Sequence, residues 1–149
     1  MANILKTEKK VAVISMLALK IAFGRLLNWL NAVENKQDYL DRLQVAVSQL
    51  HNCGAVWRES VPVSEIFQGK TLWRGEVEIF DLHGHPKAKR AYGWSHPEGA
   101  DNKTERFVTV LEIPPVDSPQ AAVKIAIYSD IKQGKIKSKW LNENQFRPL

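Results

Sequence analysis

Apolar residues change their spacing at Gly54, and no other feature restricts the fold of this chain as strongly. Before Gly54 they recur every three or four residues, the period of a helix with one buried side. After it they alternate. "AVWRESVPVSEIF" sets Trp57, Val61 and Val63 on one side, and "TLWRGEVEIFDL", "AKRAYGWSH" and "RFVTVLEI" read as three further strands. The turns "QGK" and "HGHPK" and the polar loop "PEGADNKTE" join them as antiparallel neighbours. Pro62 cannot donate to a ladder, which assigns its strand to an edge. After "PPV" the helical period returns in "DSPQAAVKIAIYSDIKQG". There Ser118 is the cap, Pro119 the first position, Val123, Ala126/Ile127 and Ile131 the stripe, and Gly134 the stop. The expected fold is α+β, ordered α-α-β-β-β-β-α, a four-stranded antiparallel meander with its helices on one face. The 149 residues suffice for one such domain with an extension.

Upstream of Gly54, Asp38 offers an N-cap, and Tyr39, Leu40, Leu43, Ala46/Val47 and Leu50 form an apolar stripe that Gly54 ends. The polar "ENKQ" at residues 34–37 reads as a linker. Three parts are therefore expected: a helical extension (1–37), an α+β domain (38–134) and a basic C-terminal tail (135–149). Residues 11–30 are apolar enough to suggest a membrane span, but Lys20, Arg25 and Asn28 are costly at the centre of a bilayer. A signal peptide would need an uninterrupted apolar run and a small-residue cleavage site. The segment is expected to be a helix buried along one side, with no membrane partner. Cys53 is the only cysteine, which excludes a disulfide framework and a cysteine-based zinc site and makes the cytoplasm the default location.

Within the extension, "ILKTEKKVAVISMLA" places Thr7 as a cap and Val11, Ile14 and Leu17/Ala18 on one helical face. This stretch resembles the first helix of the N-terminal helix-turn-helix of one family of insertion-sequence transposases. The family continues with a polar Glu-Gly turn, a Ser-Ile-Arg segment and a recognition helix. This chain continues with "LKIAFGRLLNWLNAV", which prolongs the apolar helical pattern. Such motifs read DNA through their second helix. The resemblance, confined to residues 4–18, therefore implies a fragment or fusion left by a mobile genetic element and not transposase activity. Residues 38–134 resemble small uncharacterised bacterial α+β proteins, a likeness that brings no function with it. The element order is also similar to that of the double-stranded RNA-binding domain. That fold meets RNA partly through a basic cluster opening its last helix, whereas the last helix here opens "DSPQAA", with no lysine before Lys124.

The net charge of +5 is unevenly divided: residues 1–37 carry +4, residues 38–131 carry −3 and residues 132–149 carry +4. A body built to meet phosphate carries its own positive patch, and this one has the opposite sign. The candidate nucleic-acid contacts are therefore in the tail, where Lys135, Lys137 and Lys139 could seek phosphate and Trp140 could stack on a base. The competing reading is a solvated tail that keeps the protein soluble.

The turns set a register. A turn at His85/Pro86 places Val77 opposite Trp94 and Ile79 opposite Tyr92, and a turn near Ala100/Asp101 places Trp94 opposite Phe107. Trp73, Val77, Ile79, Tyr92, Trp94, Phe107 and Leu111 then share the face that the helices cover. Of these, Trp73, Tyr92, Trp94 and Phe107 could line a small-ligand pocket. The open face carries Glu76, Glu78, Ala91, Gly93, Arg106, Val108 and Val110, beside Arg74 and Glu112. A homodimer or a protein partner would bury Ala91, Gly93, Val108 and Val110 there, with Glu76, Glu78 and Arg106 fixing register. Gly93→Arg is then expected to abolish association without unfolding. The expected function is non-enzymatic self-association or partner binding, with the N-terminal helix adding apolar surface. Nucleic-acid binding by the basic ends and a small-ligand pocket are the alternatives.

No catalytic residue, cofactor or metal is assigned. His83 and His85 of "HGH" invite a metal with Asp81 and His96, but in the hairpin His96 would lie roughly 25 Å away. His51 and Cys53 sit two apart at a helix end, where side chains diverge. Glu76 and Glu78 share a strand face and could do acid–base work, but Arg74 and Arg106 make that face read as solvated, and nothing sets either carboxylate in an apolar pocket.

Overall fold

A computed structural model describes residues 2–98 and 104–134, with side chains for residues 21–96 and 105–134. The elements in order are α1 (Ala2–His51), β1 (Gly54–Phe67), β2 (Lys70–His83), β3 (Arg90–Glu98), β4 (Thr104–Leu111) and α2 (Pro119–Lys132). This is an α+β fold with a four-stranded antiparallel sheet in the order β1-β2-β3-β4. Two compact units result, Met1–Tyr39 and Leu40–Leu149. In the first unit every described residue is helical. The expected linker at residues 34–37 is helix as well, because Glu34, Lys36 and Gln37 are good helix formers and "ENKQ" contains neither glycine nor proline.

Helix α1 ends at His51, and the residue that turns left-handed is Asn52, at φ 50°, rather than the expected Gly54, which opens β1. Asparagine tolerates that region because its short polar side chain bonds locally. Gln68 and Gly69, at φ 48° and 75°, make the two-residue turn between β1 and β2, whose twist matches that of the strands. Pro62 lies in β1, an edge strand, as its missing donor requires.

Strands β2 and β3 pair as expected, Ile79 opposite Tyr92, but β3 and β4 do not: Trp94 faces Val108, and Ser95 faces Phe107. Glu98 pairs with Thr104, so the loop centres on Asp101, half a residue beyond the expected centre. With a side-chain period of two, that half residue moves every β4 side chain to the opposite face. Val108 and Val110 thus join Val77, Ile79, Tyr92 and Trp94, while Phe107 and Leu111 go with Gly93 and Ala91. β1 is corrected in a similar way. A bulge between Trp57 and Glu59 lets Trp57 pair with Phe80 and Ser60 with Glu78, which takes Trp57 away from the side of Val61 and Val63.

Each face receives its own helix, so the expectation of both helices on one face is also corrected. On one side α2 buries Ala122, Val123, Ile127 and Ile131 against Val63, Val77, Ile79, Tyr92 and Trp94. On the other, the last turns of α1 bury Leu40, Leu43 and Val47, and Leu43 Cδ1 lies 3.3 Å from where a Cβ on Gly93 would stand. Leu50, expected in that stripe, is exposed. Helix α2 begins as anticipated: Ser118 Oγ accepts from the Ala121 amide at 3.3 Å, and Pro119 takes the first position. The Gln120 amide then ties this first turn to β1 through the Ser64 carbonyl and the buried Glu65 carboxylate.

On the α2 side, the buried Tyr92 hydroxyl donates to Glu112 Oε1 at 3.2 Å. Burial first and the neighbouring Glu112 carboxylate second raise its pKa from 10.0 to about 12. The folded state therefore favours neutral Tyr92, a contribution fully present below pH 10 and lost as pH rises from 10 towards 12. Absorbance titration at the tyrosinate band is expected to show one ionisation near pH 12 that Tyr92→Phe removes. If the parent and Tyr92→Phe titrate alike above pH 11, Tyr92 is not held neutral by the fold.

Candidate functional site

The seven residues expected on one open sheet face do not form one surface. Glu78, Ala91 and Gly93 are buried on the α1 side, where the end of that helix covers them. Glu78 Oε2 accepts from Trp57 Nε1 at 2.8 Å and from Ser60 Oγ at 2.5 Å. The carboxylate thereby receives both donors that the β1 bulge delivers to its face. Sequence parity sets positions 57 and 60 on opposite faces, which is why this cluster could not be read in advance. Glu76 is exposed. Arg106, Val108 and Val110 face the other way. Arg106 Nη2 donates to Asp130 Oδ2 of α2 at 3.3 Å, and the two valines pack on the α2 core.

The aromatic set splits too. Trp73 and Trp94 meet edge to face with centroids 5.6 Å apart and belong, with Tyr92, to the core beneath α2. Phe107 is on the opposite face, with the Arg42 guanidinium 5.9 Å from its ring centroid. The tail set Lys135, Lys137, Lys139 and Trp140 lies outside the described residues.

The histidines have local duties. His85 Nδ1 accepts from the amides of Lys87 (3.1 Å) and Ala88 (2.9 Å), closing the turn between β2 and β3. His51 Nε2 pairs with Thr109 Oγ1 at 2.8 Å, and its ring lies edge-on to His85 at 6.4 Å. Burial, and then His85, hold its pKa below the usual 6.5. Among the described residues no three His, Cys, Asp or Glu side chains are placed to hold a metal ion. A groove of about 430 Å³ follows the β4 edge, walled by Val108, Val110, Ile125 and Ala126 and crossed by the Arg106–Asp130 pair. Arg106 Nε is buried there without a hydrogen-bond partner.

No family model, curated protein or solved structure matches this chain.

Among the described residues, a run of exposed large apolar side chains lies in the first unit. Phe23, Leu26, Leu27, Trp29, Leu30 and Val33 are each between 44% and 61% exposed. At 100° per residue they fall on one broad side of α1, and residues 23, 26, 30 and 33 have the spacing of a coiled-coil seam. The sequence leads one to expect a helix buried along one side, and these residues are exposed. Their periodicity was legible, but what would cover them was not. Among the described residues no helix is long and apolar enough to cross a membrane.

Proposed function

We propose that this protein works by association and not by catalysis, and that residues 21–33 of α1 are the surface through which it self-associates. The observation that carries this reading is the exposure of those six large apolar side chains in a unit whose described residues are all helix. A lone helix has no second element on which to bury a stripe, and most helical stability in proteins comes from such packing. Each side chain is about half exposed, so covering it contributes roughly 1 kcal/mol. A second copy is the one partner always present.

The opposite side of the helix disfavours a lipid surface. Arg25 is the only charged residue from 21 to 33, and Asn28 and Asn31 complete a nearly neutral polar side. Helices that lie on anionic membranes are rich in lysine and arginine there. The sheet faces are already taken by α2 and the end of α1, which removes the competing surface. The lone cysteine supports a cytoplasmic setting, and the resemblance of residues 4–18 supports descent from a mobile element.

Native mass spectrometry of the full chain is the test. The parent is expected at a multiple of 16.9 kDa, and Leu26→Asp combined with Leu30→Asp at 16.9 kDa with the α+β unit melting unchanged. A parent that stays at 16.9 kDa at every concentration overturns the reading. So does a monomer whose residues 21–33 gain protection from hydrogen exchange only on anionic vesicles, an outcome that would make the stripe a lipid contact.

A further inference from the structure

Separately from the α1 stripe, we infer that the free edge of β4 and the groove beside it take up an extended peptide segment. The segment adds a strand to the sheet and sets alternate apolar side chains into the groove.

The ladder to β3 defines the edge. The Glu112 amide donates to the Arg90 carbonyl at 3.0 Å, which makes residues 90 and 112 a hydrogen-bonded pair. Such pairs recur at every second residue, so Tyr92 and Val110, Trp94 and Val108, and His96 and Arg106 also exchange bonds. The N–H and C=O groups of Glu105, Phe107 and Thr109 therefore point away from β3, and among the described residues β4 is the last strand in the order. Leu111 alternates with them, but its carbonyl takes the Ile113 amide at 2.9 Å. The other edge, β1, is interrupted by bulges and by Pro62, whereas β4 pairs without a shift and has no proline. A regular, unblunted edge of this kind is a template for another strand.

The groove determines what that strand carries. Its walls are Val108 and Val110 on β4 and Ile125, Ala126 and Ser129 on α2. Arg106 and Asp130 pair across it at 3.3 Å and cancel each other's charge, so the side chains that enter are uncharged and apolar. In an added strand the residues level with 108 and 110 turn to this side, and those level with 107 and 109 turn to the other. The occupant therefore alternates, with apolar residues two apart and no fixed type between them. A second β4 does not meet these terms. In every copy Val108 and Val110 pack on α2 and Asp130 holds Arg106. Two β4 strands would thus pair their backbones and leave both grooves empty.

Full-length protein and a fluorescein-labelled, end-capped peptide, Ser-Val-Thr-Val-Thr-Val-Ser, provide the test. The control, Ser-Thr-Val-Val-Val-Thr-Ser, has the same composition without the alternation. Fluorescence anisotropy is expected to show the alternating peptide binding at least tenfold more tightly than the control. Amide exchange followed by NMR is expected to slow at least tenfold at Phe107 and Thr109 on binding. Val108 and Val110, already bonded to β3, should change little. Ser129→Arg, on the groove wall and outside the buried side of α2, is expected to weaken binding at least tenfold with melting unchanged. The inference is overturned if neither peptide binds, if both bind alike, or if Phe107 and Thr109 exchange as before when the peptide is bound. Protection of those two amides in the peptide-free protein also overturns it. Loss of that protection on dilution would make a second copy the occupant, and its persistence would make another part of this chain the occupant.

Discussion

Gly93→Arg is expected to unfold the α+β unit, not to release a partner. Gly93 is buried, and even the first added carbon would stand 3.3 Å from Leu43 Cδ1. A full side chain must force the end of α1 away from the sheet. It would also bring a cation among Leu43, Phe80 and Ala91, all of them fully buried. Glu78 pairs across the ladder from Gly93, but its Oε2 already accepts from Trp57 and Ser60. Overpacking and an ill-paired buried charge together are expected to cost about 4 kcal/mol or more. Gly93→Ala is the control. Its methyl group displaces Leu43 by a few tenths of an ångström, while replacing a strand glycine restores roughly 0.5–1 kcal/mol. Thermal melts of the three proteins decide the matter. If Gly93→Arg melts within a few degrees of the parent but no longer assembles, the sheet face is the interface.

Leu43→Ala and Leu27→Ala, sixteen positions apart on one helix, are expected to behave oppositely. Leu43 is fully buried against the sheet, and truncating it should cost the α+β unit about 2–5 kcal/mol. Leu27 is 44% exposed, and truncating it should leave the stability of that unit within about 0.5 kcal/mol while weakening assembly. Urea titration followed by tryptophan fluorescence reports the first quantity, and sedimentation the second. Equal losses of stability in the two variants would mean that α1 is one continuous structural element of the domain. The stripe at residues 21–33 would then not be a separate surface.

These contrasts show where local reading succeeds. Ser118, Pro119 and Gly134 bracket α2 because caps and stops act within a few residues of themselves. Pro62 marks an edge for the same kind of reason, since a residue without an amide proton cannot sit inside a ladder wherever the rest of the sheet goes. Residues 34–37 are helical and lie beside the division between the two units, because a polar run has two meanings, and helix propensity, not polarity, separates a loop from a solvated helical turn.

The candidate site on the sheet was harder to read than the fold because it depended on parity. A loop centred half a residue later sends Val108 and Val110 to one helix and Phe107 to the other. One bulged residue brings Trp57 and Ser60 onto a single carboxylate. Neither event has a strong signature in the amino acids themselves. Bulges and loop centres arise where competing pairings are close in energy, and the packing of both faces together selects among them.

The sequence by itself determined the four strands, the last helix and the antiparallel meander, because hydrophobic period, turn residues and capping residues act over short range. The tertiary structure decided which side chains share a face, that both faces are covered within the second unit, and that Glu78 and Gly93 lie inside it. Those outcomes depend on register, and register is a property of paired strands under packed helices. The stripe at residues 21–33 shows both contributions: its spacing is written in the sequence, and its exposure is a property of the folded chain.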